Sequence, residues 1–214
     1  SLLARGKGTI YVLVRPKSLG KLDELREFWG KDSLKRVVPI KGDLGLPKLG
    51  VARGDLTKLK GKVKHFYHLG AVYDLEASAE AMEKANITGT RGALEFAEAV
   101  NAGCFHLVSS IAAAGLYRGT FTEDMFEEAE ELEHPYHRTK HDSEAMVRAN
   151  GRIPFRVYRP GAVLGHSQTG FIDKIDGPYY FFKALQKLRE SWPRSIPLVG
   201  IEGGYINVVP VDFV

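Results

Sequence analysis

"HPYHRTKHDSE", residues 134–144, reads as the opening of a polar helix, and what stands on either side of it decides the fold. Before it comes "CFHLVSS" (104–110), a short apolar run that ends in small polar residues. After it comes "FRVYRP" (155–160), a strand that Pro160 stops. Strand, helix, strand is the pattern of a crossover unit that joins parallel strands. The alternation continues outward. "TIYVLVR" (9–15) reads as a strand, and "SLGKLDELREFW" (18–29) sets Leu19, Leu22, Leu25 and Phe28 at helical spacing. "RVVPI" (36–40) is a strand that Pro39 confines to an edge or an end. "KVKHFYHLGA" (62–71) is another, 77–101 is a long helix closed by "NAG", and 135–149 is a helix that tolerates Pro135 in its first turn. A helix over 178–190 and a short strand "YINVV" (205–209) complete the pattern. The expected fold is α/β, a doubly wound and mainly parallel sheet of Rossmann-like type with right-handed crossovers.

Composition sets the bounds. With 214 residues, 44% of them hydrophobic, the chain is long and apolar enough for one α/β core and is neither disordered nor fibrous. The net charge of +4 is spread among interspersed charges of both signs, which describes a solvated surface. No basic stripe interleaved with aromatics appears, so nucleic acid is not an expected partner. A single cysteine, Cys104, excludes an internal disulfide and suits a reducing, cytoplasmic compartment. No apolar run approaches the ~18 residues of a membrane span. "KGDL" (41–44) should end a strand, and "RGDL" (53–56) should open a short helix with Asp55 as its N-cap. "SLLARG" resembles the last turns of a helix closed by Gly6, and "VPVDFV" the approach to another, so both termini look cut.

The opening stretch offers two chemistries at one spacing. His137 and His141 stand four apart, as zinc ligands on a helix would. The zincin pattern needs Glu directly after the first histidine, and here Arg138 puts a cation there instead. No metal is therefore expected. Tyr136 and Lys140 are also four apart and share one helix face. A lysine ammonium near a phenol favours the phenolate, and such a phenol can exchange a proton with a carbonyl or alcohol oxygen. A serine from "VSS" can help to hold that oxygen.

In this order the motifs resemble the extended short-chain dehydrogenase/reductases. The resemblance runs through "YVLVR", "KGDL", "HLGAVYD", "NITGTRGALEFA", "HLVSSIAAAG", "PYHRTKHDSE", "YRPGAVLGHSQTG" and "NVVPVDFV". "SSIAAAGLYRG", "FTEDMFEEAEELEHPY" and "DKIDGPYYFFKALQKLRE" are closest to bacterial fatty acyl-CoA reductases and thioester reductase domains of the male-sterility type. The resemblance implies Tyr136 as catalytic acid that also touches the cofactor, Lys140 as its partner and holder of the nicotinamide ribose, and Ser110 as hydrogen-bond donor to the substrate carbonyl. Ser109 either caps the strand end or joins the site. Asn86 matches a family asparagine or makes an internal helix bond.

The same resemblance assigns the cofactor. Arg15, beside Pro16 and Lys17 at a strand end, suits the 2′-phosphate of NADPH, because a guanidinium can grip phosphate with two bonds. Asp43 and Leu44 match the adenine-side contact, and Gly70 and Ala71 the close passage of the cofactor. Pro160, Gly161 and Val163 match the turn that faces the nicotinamide. The Gly-x-x-Gly-x-x-Gly turn that cradles a pyrophosphate is absent. In the family it lies upstream of "SLLARG", between the first strand and the first helix. The chain is thus expected to be one partial NAD(P)-binding reductase domain, 1–214, that lacks a strand between "TIYVLVR" and "KVKHFYHL" and is inactive alone. Residues 165–205 should contribute to substrate binding.

"GPYYFFKALQKLRESWP" (177–193) interleaves aromatics and leucines with Lys183, Lys187 and Arg189. It reads as a wall for a long acyl chain, as a helix in peripheral contact with a membrane, or as an ordinary amphipathic core helix. The resemblance implies reduction of a fatty acyl thioester, on coenzyme A or an acyl carrier protein, or of a fatty aldehyde. A further reductase domain can follow in such chains. Rival readings are a nucleotide-sugar epimerase or dehydratase, a ketone reductase of the same superfamily, and a catalytically silent NADP-binding module.

Overall fold

A computed structural model describes residues 2–73, 77–172, 175, 178–191 and 207–214. The chain divides into two compact units, Ser1–Arg159 and Pro160–Val214.

The first unit begins with a single helical turn, α1 (Leu2–Arg5), closed where the Gly6 N–H donates to Leu2 O. Strand β1 (Ile10–Val14) follows, then α2 (Leu19–Phe28), α3 (Lys31–Arg36) and β2 (Val37–Lys41). The two strands pair in parallel, Ile10 opposite Val37. Pro39 sits inside β2, not at its end; it is tolerated because β2 pairs with β1 alone among the described strands. Alternation along β1 turns Val14, with Ile10 and Val12, toward a small core completed by Leu22 and Val37. Tyr11 and Leu13 point the other way and are exposed.

After β2 come α4 (Arg53–Leu59) and a short strand β3 (Phe66–His68). Asp55 is not the N-cap of α4. Ala52 holds that place, and Asp55 lies in the first turn and pairs with Lys58. A carboxylate in the first turn still complements the helix dipole. The predicted long helix runs from Ala79 to Ala99 in three pieces: α5 (Ala79–Met82), a π-helical turn (Glu83–Thr88) and α6 (Gly89–Ala99). Next come β4 (Phe105–Val108), a 3-10 turn (Ile111–Ala114), α7 (Pro135–Asn150) and β5 (Phe155–Tyr158).

Strands β3, β4 and β5 form a second parallel sheet in that order. Its core face carries Phe105 and Leu107, packed against Ala93, Leu94, Phe96 and Ala97 of α6 and Val147 of α7. Small residues let α6 come close. A Cβ on Gly92 would lie 2.9 Å from the Leu46 carbonyl oxygen. β3 pairs with β4 alone, so the two sheets of this unit are not hydrogen-bonded to each other among the described residues.

The second unit holds β6 (Ala162–Leu164), α8 (Pro178–Ser191) and β7 (Val208–Pro210). β6 and β7 pair in parallel, Ala162 opposite Val208. β6 falls in the stretch read above as a turn. Residues 205 and 206 of "YINVV" lie outside the described residues, as do Trp192 and the "GIEGG" stretch. On α8, Phe181, Leu185 and Leu188 are exposed, which is not the pattern of an ordinary core helix. Among the described residues no helix is long and apolar enough to cross a membrane.

Candidate active site

Helix α7 starts where the sequence places it. His134 is the N-cap, and its Nδ1 accepts the Tyr136 N–H at 3.1 Å; Pro135 fills the first helical position, where no N–H is needed. Gly151, at φ 62°, ends the helix in the left-handed conformation. Positions 136, 140 and 144 form one stripe. Tyr136 is half-buried at the top of it, while Lys140 and Glu144 are buried.

Lys140 is 6% exposed and its Nζ donates to the Val108 carbonyl at 3.3 Å. Val108 ends β4, two residues before Ser110. Burial depresses the Lys140 ammonium from its usual range to about 8. Ser110 is extended, φ −163°, and caps the 3-10 turn, its Oγ accepting the Ala112 N–H at 3.1 Å. The hydroxyl hydrogen stays available to a ligand oxygen. α7 packs against this turn, so the helix that carries Tyr136 and Lys140 lies beside the turn that Ser110 caps.

A buried polar network supports them. Asn86, in the π-helical turn, accepts the Val72 N–H at 2.8 Å and donates to Val72 O at 3.1 Å and Thr139 Oγ1 at 3.0 Å. Thr139 donates in turn to the Tyr136 carbonyl. The Asn86 side chain therefore bonds outside its own helix and ties the loop after β3 to the helix of Tyr136. Thr90 donates to Asn86 O at 2.6 Å, which leaves its Oγ1 to accept from His68 Nε2 at 3.0 Å. The network thus assigns the hydrogen of His68 to Nε2. Burial, and then the charge of Lys140, lower the His68 imidazole to about 4, so it is neutral near pH 7. His68, Gly70, Ala71, Asn86, Lys140 and Ser143 line a narrow cleft.

Arg15, Asp43, Gly70 and Ser110 lie at or just beyond the carboxyl ends of β1, β2, β3 and β4. This is where parallel sheets present ligand sites. Arg15 is exposed. Asp43 folds its own turn, Oδ1 accepting the Gly45 N–H at 2.9 Å. That turn lays Leu44 over the end of β3, where a Cβ on Gly70 would meet its Cδ2 at 2.8 Å. Pro160, Gly161 and Val163 belong to the second unit, where Gly161 packs against the Asn207 carbonyl so closely that a Cβ would collide with it.

Three residues went unread in the sequence: His68, Thr90 and Glu144. The signal for Glu144 was present, an acid on the 136–140–144 stripe that faces inward. Ser109 is buried and its Oγ has no hydrogen bond of regular geometry, although it is near enough to the Glu144 carboxylate to help keep it ionised. His141 stacks on Phe126, ring centroids 4.3 Å apart, and no group of three or more metal-binding side chains occurs among the described residues.

A nicotinamide cofactor fits these residues in part. A buried ammonium, a serine hydroxyl whose hydrogen is uncommitted and a glycine at a close approach, all at strand ends, are groups that can hold a ribose or carboxamide. The pyrophosphate cradle has no counterpart in the sequence.

The model of the family described as male sterility protein matches residues 1–214. A linear gramicidin synthase polypeptide of Brevibacillus parabrevis is 30% identical over 227 residues, covering 99% of this chain and 4% of that protein. A Drosophila melanogaster protein provisionally named a fatty acyl-CoA reductase is 25% identical, over 97% of this chain and 45% of its own. Among solved structures, the terminal R domain of the myxalamid PKS-NRPS biosynthetic pathway superposes with a TM-score of 0.80 and 29% identity, over 98% of this chain and 55% of that one. The chain thus spans at most a little over half the length of each of the three.

Proposed function

Because this chain belongs to the male sterility protein family of extended short-chain dehydrogenase/reductases, we propose that it serves NADPH-dependent reduction of an acyl thioester or an aldehyde, with Tyr136 as proton donor. The observation that carries this reading is the placement of Lys140: buried, one helical turn from Tyr136, and bonded to the strand end that leads to Ser110. When bound, the cofactor supplies hydride to the carbonyl carbon. The chain's own residues manage the oxygen. Ser110 and Tyr136 donate hydrogen bonds to it as negative charge develops. Tyr136 then gives up its proton, and the Lys140 ammonium stabilises the charge left on the ring oxygen. From a thioester the resulting hemithioacetal collapses to aldehyde and thiol; from an aldehyde the product is the alcohol.

Arg15 supports NADPH over NADH. The relatives support a substrate presented as a thioester, on coenzyme A or on a carrier domain of a longer chain, and Phe181, Leu185 and Leu188 offer apolar surface to an acyl chain. The test is NADPH oxidation by the full-length protein with a long-chain acyl-CoA, an aldehyde or a UDP-sugar. Tyr136→Phe should lower kcat by about 10²–10⁴-fold while NADPH affinity is unchanged. Undiminished turnover by that variant, or a preference for the UDP-sugar, would overturn the reading.

A further inference from the structure

Residues 117–134 join the turn of Ser110 to the helix of Tyr136 and contain no helix or strand of their own. Hydrogen bonds from the Leu116 N–H to Glu130 O and from the Glu130 N–H to Ala114 O close the base of this segment. Its middle is held from outside. Arg159 donates through Nη2 to Met125 O at 2.9 Å and through Nη1 to Thr122 O at 3.3 Å, and its guanidinium lies over the Phe121 ring, 5.1 Å from the centroid. Arg148 lies over Phe126 at 4.8 Å, the ring on which His141 stacks.

Both guanidiniums bond the same oxygen of one carboxylate: Glu144 Oε1 is 2.6 Å from Arg159 Nη2 and 2.8 Å from Arg148 Nη2. Glu144 has no exposed surface and sits one turn beyond Lys140. Burial pushes its carboxyl up, but the hydrogen bonds from Arg159 and Arg148 outweigh burial and hold it below the usual carboxylate range. One buried charge on α7 therefore orients two cations, and each cation pins one phenylalanine of the segment. The segment itself is acidic, so Arg148 and Arg159 also offset its charge beside the buried Glu144.

We propose that Glu144 is a positioning residue for the reduction: through Arg148 and Arg159 it fixes residues 121–126 on α7, and thereby sets Ser110 relative to Tyr136. The inference rests on the reading of that pair as the donors to the substrate oxygen. Charge alone is not sufficient for the role, because the carbonyls of Thr122 and Met125 need the planar fork of an arginine, which lysine lacks.

The test compares Arg159→Lys, Glu144→Gln and Tyr136→Phe in the full-length protein, by steady-state kinetics and by amide hydrogen exchange of residues 121–126. Arg159→Lys keeps a cation beside Glu144, so it gives a folded variant even where Glu144→Gln does not. It should lower kcat by at least about tenfold, because small misplacements of reacting groups are costly, leave the KM for NADPH within about twofold, and speed exchange in the segment. A lower melting temperature with kcat unchanged would mean a merely structural clamp and overturn the proposal. Unchanged exchange would overturn it on the geometry alone, with no substrate needed. Turnover by Tyr136→Phe would instead remove the functional reading beneath it.

Discussion

At the scale of single residues, the decisive arrangement is an ammonium buried where water cannot solvate it. Lys140 is 6% exposed, and desolvation favours its neutral form, which lowers it to about 8. The ammonium is present below that value and is lost as pH rises through it. We therefore expect kcat/KM, which reports the free enzyme, to fall on the alkaline side with a midpoint near pH 8. Lys140→Arg keeps its charge at any accessible pH. Its rate should be lower, because the fork fits the Val108 carbonyl poorly, but its alkaline limb should move at least about two pH units higher. A limb that stays near pH 8 in the variant would assign it to another group. The spacing of Tyr136 and Lys140 was legible in the sequence because a helix has a fixed pitch. The roles of Asn86 and His68 were not, because their partners, Thr139 and Thr90, stand 53 and 22 residues away.

At the scale of elements, α6 shows why sequence preference and packing must be weighed together. Its small residues leave room for the turn at Pro47–Gly50 to lie against it. Alanine at position 92 would improve helix propensity by about 1 kcal/mol. The added Cβ, however, would sit 2.9 Å from a backbone oxygen, Leu46 O, that cannot swing away. Overpacking of this kind costs about 1–3 kcal/mol, so Gly92→Ala should be net destabilising, by up to about 2 kcal/mol, in urea unfolding. A more stable variant would show that the turn yields. The helix from Ala79 to Ala99 was visible from its periodicity, but its π-helical turn was not. That turn directs Asn86 toward Val72 and Thr139, and the need for it arises only where three segments meet.

At the scale of the whole molecule, His68 makes stability depend on pH. In the unfolded chain it takes up a proton near pH 6.5, whereas in the fold it resists until about 4. Between those values the unfolded state binds more protons, so stability is full above about pH 6.5 and falls as pH drops toward 4. A shift of this size is worth on the order of 3 kcal/mol. His68→Gln should flatten that part of the curve relative to the parent when urea midpoints are compared at pH 7 and pH 5. An unchanged slope would mean that other groups carry it. The sequence by itself determined the parallel α/β alternation, the Tyr136–Lys140 spacing and the strand ends that carry Arg15, Asp43, Gly70 and Ser110. These are matters of local period and local breaking, which neighbouring residues encode. Only the tertiary structure decided that Lys140 is buried, that Asn86 ties a loop to α7, and that Glu144 pairs with Arg159 beyond its own helix. Those depend on burial and on partners distant in sequence, and no local pattern carries that information.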